Sequence, residues 1–268
     1  MNKKSITLLI VLLISIFDSF GQQREELWIK NGERNIYGII SRPDTKAKRQ
    51  GVAIIAHGFN GTHHSGMTYF ELFNSLGYQC YTFDFPSGSI YSRSDNDTMK
   101  MSILNEQSDL EAVIEYFSAQ ADVDKSKIVV IGESQGGLVA ALAAANVKNR
   151  IDKLILIFPA LCIPDNWEQR YPSVSDIPER TELWGVGLSR EFFLELRTLD
   201  VFGDIGKYKG PVQIIQGDAD NIVSMKDSKR AITLYKSANL HVIKGAGHGF
   251  KPHEQKESLS IIKQFMAK

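Results

Sequence analysis

The sequence has only two cysteines, Cys80 and Cys162, too few for a disulfide framework or a multi-cysteine zinc site. Both stand in or beside apolar, strand-like runs, and we read them as small buried hydrophobes rather than as a bridge. Net charge is missing too. The 31 basic residues balance 31 acidic ones with no basic stripe among them, so neither nucleic acid nor an anionic membrane surface is implied as a partner. Internal repeats, low-complexity tracts and metal-ligand spacings are likewise lacking. The apolar run from Ile6 to Phe17, broken by Thr7 and Ser15, is short for a membrane span. It follows Lys3 and Lys4 and leads to Ser19, Phe20 and Gly21. A basic start, a short apolar core and a small-residue exit describe a secretory leader, residues 1–21, cut near Gly21. The expectation is an exported protein, periplasmic or secreted, with no stable membrane association once the leader is gone.

What remains, residues 22–268, suits one α/β domain with a sizeable core. Its organising stretch is Ile128 to Leu142. The β-branched run Ile128 to Ile131 fits a parallel strand buried on both faces, and small helix-forming residues follow from Gly136. Between them Gly132-Glu133-Ser134-Gln135-Gly136 fits G-x-S-x-G, the nucleophile elbow. There a serine sits on a strained strand-to-helix turn, and the glycines leave room for backbone that no Cβ could share. A helix N-cap serine in an ordinary glycine-rich turn is the alternative.

Around this stretch, strands alternate with helices. Leu27 to Lys30 and Asn35 to Ser41 read as a hairpin about Asn31-Gly32. Gly51 to Ala56 is a buried strand leading into His57-Gly58-Phe59-Asn60-Gly61. A helix is expected near Met67 to Leu76, a strand from Gln79 to Phe85, a surface loop from Pro86 to Met99 and an amphipathic helix from Ile103 to Phe117. A strand from Leu154 to Phe158 follows the elbow. Residues 160–209 then break the rhythm, with Trp167, Tyr171, Trp184, Phe192 and Phe193 among prolines, glycines and charges and a short helix near Ser189 to Leu199. A connection this long is read as a functional lid over a sheet edge. Regular order resumes with a strand from Val212 to Gln216, a helix near Ser224 to Tyr235, a strand from Leu240 to Ile243 and a final helix from about His253 to Met266.

A serine hydroxyl needs a base, and the base needs a partner that fixes its tautomer. On this architecture the order is Ser, then Asp or Glu, then His. Asp218 and Asp220 follow the next-to-last major strand and His248 follows the last, so all share the sheet edge of Ser134, where open α/β sheets bind ligands. Asp220 fits a G-x-x-D-x-x-V spacing from Gly217 to Val223, whereas Asp218 can cap the turn. His248 is flanked by glycines; His241 falls within a strand and His253 at a helix start. His63 and His64 lie beyond the His57 loop, where they touch substrate or simply face solvent.

The strand leading to His57-Gly58-Phe59, the elbow, Gly217-x-x-Asp220-x-x-Val223 and Gly247-His248-Gly249 resemble the four landmarks of the α/β-hydrolase superfamily, in order, over the whole mature chain. Within it the chain is most similar to bacterial feruloyl and cinnamoyl esterases. His57-Gly58-Phe59-Asn60-Gly61, Ser134-Gln135-Gly136-Gly137, Asn105-Glu106 and the insertion after Pro159 carry that likeness. Glu133 stands where the group usually has histidine, and Phe85-Pro86-Ser87-Gly88-Ser89 loosely matches its Gly-His-Gly turn. The resemblance implies an α/β-hydrolase fold, a mostly parallel twisted sheet with helices on both faces, an oxyanion hole from the Phe59 and Gln135 amides, and an aromatic acyl group held by the lid. Candidate lid contacts are Trp167, Trp184 and Phe192, with Asp165 as partner for a phenolic hydroxyl.

The activity these residues imply is hydrolysis of carboxylic esters, with Ser134, Asp220 and His248 as the triad and no metal or organic cofactor required. The expected substrate is a small-molecule or polysaccharide-linked hydroxycinnamate ester. Acetyl or short acyl esters come second, then a serine peptidase on short peptides, which lacks here the propeller-like N-terminal domain. A non-catalytic binding module is the remaining class, and it has no use for an intact triad.

Overall fold

The structure, a computed structural model, describes residues 23–268, so the predicted leader lies outside the described residues. Gln23–Asn31 (β1) and Arg34–Arg42 (β2) form the expected hairpin, paired from Gln23 opposite Arg42 to Asn31 opposite Arg34. The chain then alternates through Gln50–Ala56 (β3), His63–Gly66 (α1), Phe70–Ser75 (α2), Tyr78–Phe83 (β4), Ile103–Ala119 (α3), Val123–Glu133 (β5), Gln135–Val147 (α4) and Lys153–Ile157 (β6). The insertion follows as Ile163–Arg170 (α5), the hairpin Arg180–Leu183 (β7) and Val186–Ser189 (β8), Arg190–Leu196 (α6) and Val201–Asp204 (α7). Pro211–Gly217 (β9), Met225–Ile232 (α8), Ser237–Ile243 (β10) and Pro252–Met266 (α9) complete the chain.

Among the described residues the main sheet has eight strands in the order β1-β2-β4-β3-β5-β6-β9-β10. The β1/β2 and β2/β4 pairs are antiparallel and the other pairs are parallel. This is the mostly parallel, helix-covered α/β-hydrolase sheet.

The side-chain period of two sorts each central strand between two cores. Val52, Ile54, Val130 and Leu154 face α3, α4 and the insertion, whereas Ala53, Ile55, Val129, Ile131 and Ile155 face Tyr69, Phe70, Phe73 and the α9 residues Ile261, Ile262 and Phe265. Cys80 and Cys162 are both free and buried, Cys80 within the second of these cores.

The α4 helix runs through the core with every residue from Gln135 to Ala145 buried, and its glycines and alanines let it press onto β5. A Cβ at Gly132 would lie 2.3 Å from the Gly136 carbonyl oxygen and 2.7 Å from Ala140 Cβ. Neither neighbour can yield without moving α4. Gly132→Ala is therefore expected to cost about 3 kcal/mol of stability. A lower urea midpoint at unchanged m-value checks this; an unchanged midpoint refutes it.

Two expectations need correction. The helix expected from Met67 to Leu76 is broken: α1 begins earlier, at His63, a 3₁₀ turn covers Met67–Tyr69, and α2 is only Phe70–Ser75. The segment from Pro86 to Met99 is not a plain surface loop, because Pro86 to Ser89 and Ser92 are buried. Three of its serine hydroxyls bond backbone rather than water: buried Ser89 donates to the Asn60 carbonyl, buried Ser92 to that of Phe85 and half-buried Ser94 to that of Asp84.

Candidate active site

At the carboxyl end of β5, Ser134 has φ +51, left-handed backbone that a residue with a Cβ rarely adopts. Its amide donates to the Ile157 carbonyl, and its own carbonyl accepts from Gly137 and Ala160, so strands and helix together hold the turn. A Cβ at Gly136 would sit 2.3 Å from the Ala56 and His57 carbonyl oxygens. The elbow glycines thus let α4 start directly against β3, and the Ser134 side chain is left at the top of the sheet.

There Ser134 Oγ lies 2.9 Å from His248 Nε2, and His248 Nδ1 lies 2.9 Å from Asp220 Oδ2. The Asp220 side chain is 1% exposed and that of His248 20%. Asp220 Oδ1 accepts from the Ile222 and Val223 amides at 2.9 Å each, which fixes the carboxylate plane. Phe158, itself at φ +36, packs edge-on against the His248 ring at 4.8 Å. An imidazole so held can take the hydroxyl proton as the oxygen attacks a carbonyl. Asp218, the competing acid, turns away and accepts from the Gly245 amide.

Phe59 and Gln135 line the same cleft as this hydroxyl. Gln135 is the first residue of α4, so its N–H belongs to the first helical turn, which has no partner inside the helix and carries the positive end of the dipole. Among the described residues neither the Phe59 nor the Gln135 amide N–H has an acceptor. The Phe59 loop is built by its neighbours. Asn60, at φ +54, donates through its amide to the Gly88 carbonyl, and its side-chain oxygen accepts from Ser89 and Ile90. His57 is buried beneath the loop: Phe85 N–H donates to its Nε2, so the proton sits on Nδ1 and is given to the Gly58 carbonyl. Burial holds the His57 pKa below its ordinary value, which keeps the ring neutral. His63, a possible substrate contact from sequence, is instead buried on Asp84 at 2.7 Å, while His64 bonds Thr62.

A cleft of about 320 Å³ opens beside Ser134. Trp167, Trp184 and Phe192 line it as expected, and Phe59 stacks edge-on against Trp184 at 5.9 Å. Trp184 is two-thirds exposed at the tip of the β7/β8 hairpin, at φ +50, with Gly185 at φ +79. Asn, not Trp, is the usual residue for such a turn, so the strain holds an aromatic face over the cleft.

Asp165 does not line the cleft. It lies two residues before Trp167 on α5, and positions that far apart do not share a helix face. Its carboxylate instead faces Asp227, where its charge adds to burial in raising the Asp227 pKa. The cleft-facing stripe of α5 is Ile163, Asn166, Trp167 and Arg170, spaced i, i+3, i+4, i+7. Sequence reasoning missed Asn166 and Arg170, although that spacing, anchored on Trp167, contains them. Arg170 stacks over the Trp167 and Tyr171 rings at 5.3 and 5.7 Å.

Glu133, next to the nucleophile position, points away from the cleft and accepts from Tyr69 Oη at 2.6 Å. Burial raises its pKa and that of Tyr69. Among the described residues no group of His, Cys, Asp and Glu side chains is arranged to hold a metal ion.

Residues 52–181 match the family described as alpha/beta hydrolase fold. Over 112 residues the chain is 33% identical to a putative esterase/lipase 2 of Mycoplasma genitalium, covering 42% of this chain and 39% of that protein. Its counterpart in Mycoplasma pneumoniae is 27% identical over 106 residues, 40% of this chain and 37% of that one. The chain therefore spans about two-fifths of the length of these curated relatives. Solved structures match along nearly the whole chain. Est1E from Butyrivibrio proteoclasticus superposes with a TM-score of 0.80 at 25% identity, covering 90% of this chain and 97% of Est1E. A second Est1E structure, with ferulic acid bound, gives 0.82 at 25% identity over 90% and 98%. With its sheet order, its left-handed serine between β5 and α4 and these matches, the chain has the α/β-hydrolase fold and is similar to the feruloyl esterases of that superfamily.

Proposed function

We propose that this chain is an exported serine esterase that cleaves hydroxycinnamate esters through an acyl-enzyme. The observation that carries the reading is the Ser134–His248–Asp220 relay, with 2.9 Å at each step, opening on an aromatic cleft. Ser134 Oγ attacks the ester carbonyl while His248 Nε2 takes its proton. Asp220 stabilises the imidazolium, and the Phe59 and Gln135 amides receive the negative oxygen. His248 then protonates the leaving alcohol, and water, activated by the same histidine, releases the acid. Trp167, Trp184 and Phe192 are the walls for a flat acyl group, and Asn166 and Arg170 offer hydrogen-bond donors to ring oxygens. Ferulic acid bound to Est1E supports the aromatic assignment.

One observation favours a second reading. Ile163, Leu183, Leu188 and Val223 also line the cleft, and an aliphatic wall suits acetyl or short acyl esters. The test compares methyl ferulate with an acetyl ester of similar leaving group. A preference for ferulate of about tenfold in kcat/KM, about 1.4 kcal/mol of differential transition-state binding, is expected. Trp184→Asn, which suits the left-handed turn, is expected to lower kcat/KM on ferulate by roughly tenfold and to leave the acetyl ester nearly unchanged. A preference for acetate, or equal losses on both esters, transfers the assignment to short acyl groups.

A further inference from the structure

Glu106 lies where the pattern of α3 calls for an apolar side chain. Ile103, Glu106, Leu110, Val113 and Phe117 form the inward stripe of that helix, and Glu106 is 1% exposed. A carboxyl in such a place costs stability unless it is satisfied, and an aliphatic residue would fill the stripe more cheaply. Its hydrogen-bonding partner is the Gln135 side chain, whose Nε2 lies 3.0 Å from both carboxyl oxygens. Gln135 is itself 3% exposed, and its Nε2 also lies 3.7 Å from Met101 Sδ. On the other side the carboxyl packs against the Gly88 turn, where a Cβ on Gly88 would approach Glu106 Oε1 to 3.0 Å. The Gly88 carbonyl accepts the Asn60 amide, one residue beyond Phe59. One buried side chain therefore touches both Gln135 and the turn that holds Asn60, next to the two residues that line the cleft with Ser134.

We propose that Glu106 is a positioning residue: it ties the Gln135 side chain to the Gly88 turn and so fixes the Gln135 and Phe59 amides where the oxyanion forms. The inference rests on the esterase reading above. The charged groups facing Glu106 are both acidic. Asp109, on the same helix, is paired with Arg34, and Glu195, on α6, bonds Ser102 and the Leu104 amide. Among the described residues no Lys, Arg or His side chain forms an ion pair with Glu106. Burial first, and then the Asp109 and Glu195 charges, push its pKa up to about 8, against the hydrogen bond from Gln135. Above that pH it gives its proton to solvent and becomes a buried negative charge behind the site where another negative charge must develop, which opposes the reaction.

The folded-state pKa lies above the ordinary 4.5, so the folded state holds the extra proton between about pH 4.5 and about pH 8. Stability falls with rising pH across that window and is flat above it. The loss in kcat is instead centred on about pH 8, so the two effects separate along the pH axis.

The experiment is kcat and KM for p-nitrophenyl acetate from about pH 6 to about pH 9.5, for wild type, E106A and E106Q. Wild type is expected to show an alkaline limb in kcat near pH 8 with KM unmoved. E106A is expected to lose kcat about tenfold or more, and E106Q, an isosteric stand-in for the neutral acid, to restore it and abolish the limb. A limb in E106Q matching that of wild type, or wild-type kcat in E106A, overturns the inference. Equal activity in wild type and Ser134→Ala would instead sink the esterase reading. In that event pH-difference infrared spectra still decide the protonation of Glu106: a carboxylic-acid carbonyl band at neutral pH, absent in E106Q, is required, and its absence from wild type overturns the proposal.

Discussion

Ser134→Gly and Ser134→Ala are both expected to lose ester hydrolysis by about 10⁵-fold, and the glycine variant to be the more stable of the two. On the proposed mechanism the loss of activity follows from the relay: without Oγ, His248 would have no nucleophile to activate, and only carbonyl polarisation by the amides would remain. The stability order is the sharper prediction. In an ordinary helix or strand, glycine is less stable than alanine by about 0.5–1 kcal/mol because its unfolded chain has more freedom to lose. At φ +51 the sign reverses. A Cβ in left-handed backbone costs of order 1–3 kcal/mol, which alanine keeps and glycine sheds. Ser134→Gly should therefore exceed Ser134→Ala by about 1 kcal/mol in denaturant unfolding at equal m-values. The turn that exposes the hydroxyl would then be strained for function. Alanine matching or exceeding glycine would mean that the turn stores no strain.

The elbow was legible in the sequence because its constraint is local. Left-handed backbone, a helix pressed onto a strand and a β-branched run before it each demand particular residue types within ten positions, and Gly132, Ser134 and Gly136 supply them. Asp220 and His248 were legible because chain order on a parallel sheet fixes which loops share an edge, and the Gly217-to-Val223 spacing separated Asp220 from Asp218. The lid was legible only as composition. Its aromatics announced a cleft, but the phase of α5 depends on how that helix docks, and composition carries no phase. The sequence therefore points to Asp165, whereas Asn166 and Arg170 are the residues of that turn that face inward. Residues 86–99 misled for a related reason: serine, aspartate and asparagine read as solvated, yet serine hydroxyls satisfy interior carbonyls as well as water does. Glu106 stands out in the sequence only through the resemblance carried by Asn105-Glu106. Its position on the apolar stripe of α3 was the physical signal, since a carboxyl there must be either paired or neutral.

Asp220→Asn is expected to lower kcat/KM by about 10⁴-fold while leaving the positions of Ser134 and His248 unchanged. The reason lies in how the loop grips the side chain. Oδ1 accepts from two amides, Ile222 and Val223, and Oδ2 faces His248 Nδ1. In asparagine only one of the two terminal atoms can accept. Two N–H donors fixed by the turn require the oxygen on their side, so the NH₂ group is forced toward His248. Nδ1 must then act as acceptor, which moves the ring proton to Nε2 and points an N–H at Ser134 Oγ. In that tautomer the histidine cannot take the serine proton. Rotating the amide the other way would set NH₂ against two backbone donors, at a cost of about 1–3 kcal/mol for each orphaned group. The loop therefore selects the inactive arrangement. A substitution that merely weakened the pairing charge, with the tautomer preserved, would leave far more activity. Steady-state kinetics with folding monitored by circular dichroism decides between them. A loss near 10-fold would mean that the Asp220 charge matters and its orientation does not. A loss near 10⁴-fold with native unfolding behaviour would assign to the Ile222 and Val223 amides the role of fixing the proton on His248.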